Sequence, residues 1–313
     1  MAHQDEHEPT VAKLAGALGK MVREVMAEIR PRLVEAALTG ERGESKNLRH
    51  TDNFLSRHDL WMHEEYRRRV AELLPSFVYA SEEADPQVIG EDPDPDLCVL
   101  VDPLDTSELA VRGLFGYTHI MVYSRFLARP IAAVVGDIFH HIQLYLAARG
   151  EDGVDRAYVV TADGQATELR VRPAKPLNEA LITTYLMRPA ERFSKVAAQQ
   201  RLIAALAEPA ADGKARGRIG VDFGSISLCH VAAGMTDATA EFAKGFAIWD
   251  LAPGHYILHA AGGAVIDLDG KPVPLDAGFT TLADIGKAMK QRQKFIAAPD
   301  AVLAAQIRDT LDT

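Results

Sequence analysis

An apolar segment that leads directly into closely spaced carboxylates constrains this chain more than any other feature. The segment Leu97–Val101 is followed by Asp102–Asp105, which reads DPLD, and then by Thr106–Glu108. We interpret the first part as a buried strand, because it is short, apolar and bounded by turn residues. Pro103 favours an extended Asp102 and then a turn, and the residues after it favour a helix start. The pattern predicts that two carboxylates converge where the strand ends.

Two further carboxylates, Glu82 and Glu83, follow the preceding apolar segment, Phe77–Ala80. If both strands are neighbours in one sheet, all these side chains can reach the same point. Two carboxylates ~4 Å apart repel by about 4 kcal/mol at an effective dielectric constant near 20, so either some are protonated or a cation lies among them. Oxygen ligands of this kind suit Mg²⁺ or Mn²⁺. The simpler alternative is a solvated acidic turn in which Asp102 or Ser107 caps a helix.

The first half of the chain shows the periodicities of helices and of short strands. Apolar residues spaced three and four apart predict a helix that begins at Val11 and is kinked or ended by Pro31, and a second helix over 59–74. Short apolar runs predict strands, several of them adjacent in an antiparallel sheet, at 77–80, 97–101, 117–123, 130–136 and 143–148.

The second half predicts another set of strands and helices. Strands are predicted at 156–161, 168–171, 180–185, 218–222, 238–242 and 264–268. Helices are predicted at 190–207, 225–235, 250–261 and 298–311. This order indicates an α/β (α+β) fold, with a loose tail at 1–9, an N-terminal subdomain at 10–150 and a C-terminal subdomain at 151–313.

Composition excludes several classes of protein. The formal net charge is −10, so no overall positive field attracts nucleic acid or an anionic membrane. The two cysteines are too few for a disulfide framework, which makes a cytoplasmic location the expectation. No apolar run reaches the length that spans a membrane. We therefore expect a protein that binds neither nucleic acid nor membranes.

A distant segment, Trp249–Gly263, reads WDLAPGHYILHAAGG and places Asp250 at a predicted helix start. By itself, Asp250 is read as a helix cap. Together with the Glu82–Glu83 pair and the DPLD run, in this order and at these spacings, it resembles the inositol monophosphatase family. That family of metal-dependent, lithium-sensitive phosphatases also includes fructose-1,6-bisphosphatases and nucleotide phosphatases. The resemblance spans roughly residues 10–298 and implies a layered α-β-α-β-α sandwich.

The resemblance implies a set of metal ligands. Glu82, Asp102 and the Leu104 carbonyl would hold one Mg²⁺ ion, and Asp102, Asp105 and Asp250 would hold a second. A third ion is possible within the family, and Mn²⁺ is an expected substitute for Mg²⁺. Two such cations can neutralise a phosphate, stabilise the leaving alkoxide and acidify water. Glu82 is thereby also a predicted catalytic residue.

The resemblance also implies how the substrate is held. The backbone amides of Thr106 and Ser107 would bind its phosphate, which suits amides at a helix start. The Ser107 hydroxyl would orient and deprotonate the attacking water, and Asp59 would hydrogen-bond to that hydroxyl. Glu241 falls where the family contacts the organic part of the substrate. Asp222 is a further predicted substrate contact.

Two departures from the family pattern concern the phosphate segment. The family has glycine where this chain has Thr106, and threonine where it has Ser107. Glycine permits a positive φ, whereas a β-branched residue opposes it, so Thr106 is expected to crowd the phosphate or to alter the turn. Glu108 and Arg112 then replace the usual continuation. They are read as an i,i+4 ion pair or as specificity elements.

The leading hypothesis is a Mg²⁺-dependent phosphatase for a small inositol or sugar phosphate, and the resemblance adds the expectation of a homodimer. A fructose-bisphosphate or nucleotide (phosphoadenosine-phosphate or NADP) phosphatase is an alternative, with Arg112, Arg188 or Lys244 neutralising a second phosphate. An alternative from another class is a non-catalytic sugar-phosphate-binding protein on the same scaffold, which the residue Thr106 favours.

Overall fold

The computed structural model describes residues 11–47, 49, 53–187 and 189–312. The chain divides into two compact units, one of Met1–Glu168 with Asp276–Met289 and the other of Leu169–Leu275 with Lys290–Thr313. The tail predicted at 1–9 lies outside the described residues. Each unit combines one sheet with helices, and the predicted α/β fold class is thereby confirmed.

The helices and strands have the following bounds. The helices are α1 (Val11–Thr39), α2 (Arg57–Leu73), α3 (Ser107–Ala110), α4 (Pro189–Ala197), α5 (Gln200–Ala207), α6 (Gly224–Ala232), α7 (Ile248–Ala260), α8 (Leu282–Ala288) and α9 (Ala301–Thr310). The strands are β1 (Ser76–Ser81), β2 (Ala84–Gly90), β3 (Leu97–Asp105), β4 (Tyr117–Ser124), β5 (Arg129–Asp137), β6 (Ile142–Arg149), β7 (Asp155–Thr161), β8 (Ala166–Leu169), β9 (Leu181–Thr184), β10 (Arg218–Val221), β11 (Ala238–Phe246), β12 (Ala264–Ile266) and β13 (Gln293–Ala298).

In the first unit, α1 and α2 bury their apolar faces against the sheet formed by β1–β8. That sheet has the strand order β2-β1-β3-β4-β5-β6-β7-β8. Helix α1 continues through Pro31 to Thr39, so of the two alternatives predicted for this proline, a kink or the end of the helix, the second is wrong. Leu33 and Ala36, beyond the proline, are fully buried, and this packing outweighs the lost hydrogen bond. Arg69 joins the two helices, since its guanidinium contacts Glu28 at 2.6 Å.

The pairing of β3 with its two neighbours determines which side chains of the first unit lie together at one end of the sheet. β3 lies between β1 and β4, and it pairs with β1 in parallel, with Ser81 opposite Val101. The strands β3 to β7 pair antiparallel, as predicted for several of these strands. The parallel pairing sends the residues after Ser81 and after Val101 toward the same end of the sheet.

The second unit has the strand order β10-β9-β11-β13-β12. Its helices α6 and α7 pack so closely that a Cβ added to Gly254 would lie 2.4 Å from the Ser225 carbonyl oxygen. The Ser225 hydroxyl is inserted into α7: it donates to the Asp250 carbonyl at 2.7 Å and accepts from the Gly254 amide at 3.1 Å. This insertion bridges a helix that Pro253 already interrupts.

Several predicted elements differ from the structure. The single helix predicted at 190–207 is two helices, α4 and α5. Strands β2 and β13 and helix α8 were not predicted, and β3 continues through the segment predicted as a turn. Within the described part of the chain, no helix is both long and apolar enough to cross a bilayer.

Candidate metal and phosphate site

A bulge in β3 brings two aspartates to one face of the sheet. Asp102 lies opposite His119 of β4, and Asp105 lies opposite Tyr117, so three steps along β3 match two along β4. Side chains three positions apart in a regular strand point to opposite faces, but the extra residue of a bulge restores Asp105 to the face of Asp102. His119, directly opposite Asp102, shares that face.

The three side chains form a compact group of possible metal ligands. One ligand atom from each of Asp102, Asp105 and His119 lies within 4.8 Å of the others. The His119 Nε2 atom is 3.4 Å from Asp105 Oδ2, and its Nδ1 atom is 3.9 Å from Asp102 Oδ2. The exposed fractions of the His119, Asp102 and Asp105 side chains are 0%, 1% and 11%.

Burial makes this group costly without a cation. Two carboxylates within 4.8 Å repel by about 3 kcal/mol at an effective dielectric constant of 20. Removing both from water adds a desolvation penalty, which a bound cation offsets. Carboxylate oxygens with one imidazole are a donor set for a divalent metal ion. The residues therefore fit the ion that the resemblance implies.

Asp59 connects the start of α2 to the residue after the bulge. Its Oδ2 atom accepts from the Ser56 amide at 2.8 Å and from the Ser56 hydroxyl at 2.5 Å, which closes a capping box on the helix. Its Oδ1 atom accepts from the Ser107 hydroxyl at 2.5 Å. The pairing of Asp59 with Ser107 that the resemblance implies is thus present. Burial raises the pKa of Asp59, and the hydrogen bonds from Ser107 and Ser56 partly oppose this rise.

The phosphate segment has a strained backbone at Thr106. Its φ is 60° and its ψ is 37°, which is the left-handed region, and α3 begins at the next residue. A left-handed residue followed by a right-handed turn aligns successive N–H groups into a concavity that suits an anion. Helix α3 has only four residues, so its dipole adds little and the amides themselves would carry the binding. Thr106 therefore adopts the positive φ that glycine permits and that a β-branched side chain opposes.

Glu82 and Glu83 lie beside the metal group without joining it. The Glu82 Oε1 atom accepts from the Asn53 side chain at 3.2 Å, and its carbonyl accepts from Arg49 at 2.9 Å. Among the described residues, Glu82 is absent from the group that could hold an ion. Burial and the neighbouring Asp59 carboxylate raise the pKa of Glu83 to about 7. The Leu104 carbonyl accepts from the Ser107 hydroxyl at 3.0 Å.

In the second unit, Asp250 lies in the first turn of α7. Its Oδ2 atom accepts from the Ala247 amide at 3.3 Å, which is a capping contact, and lies 3.6 Å from Arg292 Nη1. The Arg292 guanidinium also lies 5.5 Å from the centre of the Trp249 ring. The capping role is therefore present, and the predicted role of Asp250 as a metal ligand stays a prediction.

Glu241 binds to the protein itself. Its Oε1 atom accepts from three successive amides, those of residues 243, 244 and 245, at 2.9–3.1 Å. Its Oε2 atom accepts from Arg192 Nε at 3.2 Å, and both side chains are at most 4% exposed. Arg192 also stacks on Tyr185 at 4.2 Å, and Lys244 contacts Glu191 at 2.6 Å.

The other predicted substrate contact is also internally bonded. Asp222 accepts from the Phe223 amide at 3.0 Å and lies 2.7 Å from His230 Nδ1. In the first unit, Arg112 and Glu108 form the expected i,i+4 ion pair at 2.8 Å. Arg188 lies outside the described residues.

His119 is the one member of the metal group that the sequence argument missed. It lies inside an apolar strand, where a histidine is ordinarily read as part of the core. The available signal was its place in the strand that follows the DPLD segment. Only the pairing of β3 with β4, which puts Asp102 opposite His119, shows that the His119 side chain lies beside the aspartates.

Comparison with known proteins identifies similar sequences. The profile of the inositol monophosphatase family matches residues 6–309. The chain is 30% identical over 193 residues to "Nus factor SuhB" of Pasteurella multocida (strain Pm70), a stretch covering 62% of this chain and 65% of that protein. It is 33% identical over 147 residues to human "Inositol monophosphatase 2", covering 45% and 44%. The matched stretches thus span about half to two thirds of these relatives.

Solved structures of low sequence identity share the fold. The crystal structure of the extragenic suppressor protein SuhB from Bartonella henselae has a TM-score of 0.67 at 18% identity, covering 96% of this chain and 99% of that one. A Ca-bound IMPase family protein from Staphylococcus aureus has a TM-score of 0.69 at 16% identity, covering 97% and 96%.

Proposed function

The chain belongs to the inositol monophosphatase family, and we propose that it is a Mg²⁺-dependent phosphatase that hydrolyses a small phosphate monoester, an inositol or sugar phosphate. The observation that carries this proposal is the buried group of Asp102, Asp105 and His119, which the Thr106–Ser107 amides follow directly in the chain. A cation site beside an anion-binding turn is what phosphoryl transfer to water requires.

When bound, the divalent ions would neutralise the phosphate and lower the pKa of water near it. The chain's own contribution is the position of the Ser107 hydroxyl. This hydroxyl has one proton and two acceptors in reach, Asp59 Oδ1 at 2.5 Å and the Leu104 carbonyl at 3.0 Å. Its orientation is therefore restricted, and its lone pairs remain available to accept a hydrogen bond from water.

Proton transfer can follow the same hydrogen bond. As water attacks phosphorus, its proton passes to Ser107 Oγ while the Ser107 proton passes to Asp59 Oδ1, and the ester oxygen departs with the electron pair of the broken P–O bond. Burial raises the pKa of Asp59, which favours its accepting that proton. Glu82 and Asp250 remain proposed ligands of the ions, and Glu241 and Asp222 remain proposed substrate contacts.

The experiment is phosphate release from inositol, sugar and nucleotide phosphates, with Mg²⁺ and after its removal by EDTA. Asp105→Asn is expected to abolish most of the activity while leaving the protein folded. Asp94→Asn is the control, because Asp94 lies in the same unit and 82% of its side chain is exposed. Activity that survives both EDTA and Asp105→Asn would refute the proposal.

A second candidate is a phosphate-binding protein without turnover, and the strained Thr106 favours it. A threonine Cβ at this turn narrows the space above the amides where glycine would leave it open. In this case the wild-type protein binds phosphate ligands with Mg²⁺ but releases no phosphate, and Thr106→Gly does not restore turnover. Measurable hydrolysis by the wild type excludes it.

A further inference from the structure

We propose that His119 supplies a nitrogen ligand to the divalent ion that Asp102 and Asp105 hold. The ligand set implied by the family resemblance consists only of oxygen atoms, so an imidazole in the site is a property of this chain. The inference rests on the proposed function, because it assumes that a divalent ion occupies this group. It goes further by stating which kind of divalent ion the site prefers.

The backbone fixes His119 in this position. β4 is an interior strand, paired with β3 on one side and β5 on the other, and His119 pairs with Asp102 on β3 and with Val135 on β5. A residue held by two ladders cannot turn its side chain to the other face without breaking both. The His119 side chain is also fully buried.

The distances suit shared coordination. Two donors each about 2.1 Å from one ion and at right angles are about 3 Å apart. The separation of 3.4 Å between His119 Nε2 and Asp105 Oδ2 is close to this value. The ring nitrogens face different carboxylates, Nε2 toward Asp105 and Nδ1 toward Asp102. Nε2 is the nearer nitrogen, so it can present its lone pair to an ion shared with Asp105 while Nδ1 carries the proton.

A competing role for the same geometry is a protonated imidazole that balances the two carboxylates. The two roles predict opposite effects of removing the ring. A ligand strengthens binding of the ion, so its removal weakens binding. A positive charge competes with the ion, so its removal strengthens binding. The sign of the change in metal affinity separates them.

A nitrogen ligand changes the relative affinities for different ions. Imidazole suits transition-metal ions more than Mg²⁺, which prefers oxygen. We therefore expect the ratio of Mn²⁺ to Mg²⁺ affinity to fall by about tenfold or more in His119→Asn. Substitutions next to metal ligands typically change metal affinity by such a factor. In His63→Asn the ratio should be unchanged, because His63 is a similarly buried histidine of the same unit that contacts Ser81 at 2.9 Å.

The test uses the full-length protein stripped of metal and titrated with Mn²⁺, with free Mn²⁺ followed by electron paramagnetic resonance. Electron spin echo modulation of the bound Mn²⁺ then detects a coordinated nitrogen. The modulation should change when the histidines carry ¹⁵N, persist in His63→Asn and vanish in His119→Asn. The ¹⁵N comparison uses the wild-type protein, so absence of a histidine coupling there overturns the ligand role even if the His119 variant fails to fold.

The outcomes separate this inference from the proposed function. Bound Mn²⁺ without nitrogen coupling, or tighter Mn²⁺ binding by His119→Asn, overturns the ligand role and leaves the phosphatase proposal standing. A wild-type protein that binds neither Mn²⁺ nor Mg²⁺ at millimolar concentration overturns both. Nitrogen coupling that only His119→Asn removes establishes the ligand.

Discussion

Replacing Thr106 with glycine is expected to stabilise the protein, although glycine usually destabilises. Thr106 has a φ of 60°, and a left-handed conformation costs an L-residue roughly 1–2 kcal/mol, near the upper end for a β-branched side chain. Glycine removes this cost, but it makes the unfolded chain more flexible, which lowers the free energy of unfolding by roughly 0.4–1 kcal/mol. It also loses the bond from the Thr106 hydroxyl to the Asp105 carbonyl, 2.6 Å long, worth about 0.5 kcal/mol. The net gain is about 0.5 kcal/mol.

A comparison of glycine with alanine isolates the backbone term. Both substitutions remove the hydroxyl, but alanine retains Cβ and with it the cost of the left-handed conformation. We expect Thr106→Gly to be more stable than Thr106→Ala by about 0.5–1 kcal/mol, the reverse of their order in ordinary helices and strands. Ala128 is the matched control, since its φ is 51° in the hairpin between β4 and β5. Ala128→Gly should stabilise slightly and leave phosphate binding unchanged.

The assays are thermal unfolding without metal and inhibition by inorganic phosphate with metal. Each 1 kcal/mol shifts the unfolding temperature of a protein of this size by about 2–4 °C. If the Cβ of Thr106 crowds the phosphate, Thr106→Gly should bind phosphate about fivefold more tightly, which corresponds to about 1 kcal/mol. The reasoning about strain is refuted if Thr106→Ala is as stable as Thr106→Gly. The reasoning about crowding is refuted if phosphate affinity stays constant.

Three further predictions concern the second unit. Gly254→Ala should destabilise by about 2–4 kcal/mol in denaturant unfolding, because the added Cβ would lie 2.4 Å from the Ser225 carbonyl oxygen; a change below 0.5 kcal/mol would contradict this packing. Arg192→Met should cost about 3 kcal/mol by leaving the buried Glu241 carboxylate without its cation, and the added change Glu241→Gln should recover part of that loss. Burial lowers the pKa of His255 to about 4. As the pH drops from about 6.5 toward 4, His255 is therefore protonated in the unfolded chain but not in the folded one, and stability falls. His255→Asn should reduce the slope of stability against pH in this range, and an unchanged slope would contradict the prediction.

The local features of the site could be predicted because they depend on neighbouring residues. The strand before Asp102 and the helix start at Ser107 follow from short-range propensity, whereas the positive φ at Thr106 runs against the steric preference of a β-branched residue. The helix around Asp250 follows from its apolar spacing and its terminal glycines.

Elements that depend on residues distant in the sequence were harder to predict. Strand β2 has the sequence ADPQVIG, in which a proline and polar residues obscure the strand signal. It exists because β1 supplies a partner, and its place at the edge of the sheet tolerates a proline. Helix α1 passes Pro31 for a similar reason, since burial of Leu33 and Ala36 outweighs the local preference.

The metal group was the hardest feature to predict, because it depends on which face of the sheet each side chain points to and not on secondary-structure propensity. In a regular strand, Asp102 and Asp105 would point to opposite faces, and only one of them could meet His119. The extra residue in β3 reverses the face of Asp105, and nothing in the spacing of the residues distinguishes a strand with that bulge from a strand that ends in a turn. A turn after Asp102 is enough to predict that the two aspartates converge. His119 is different, because a turn would not define which residue of β4 lies opposite Asp102. The bulge lies inside a continuous ladder, and the pairing of β3 with β4 in that ladder places His119 opposite Asp102.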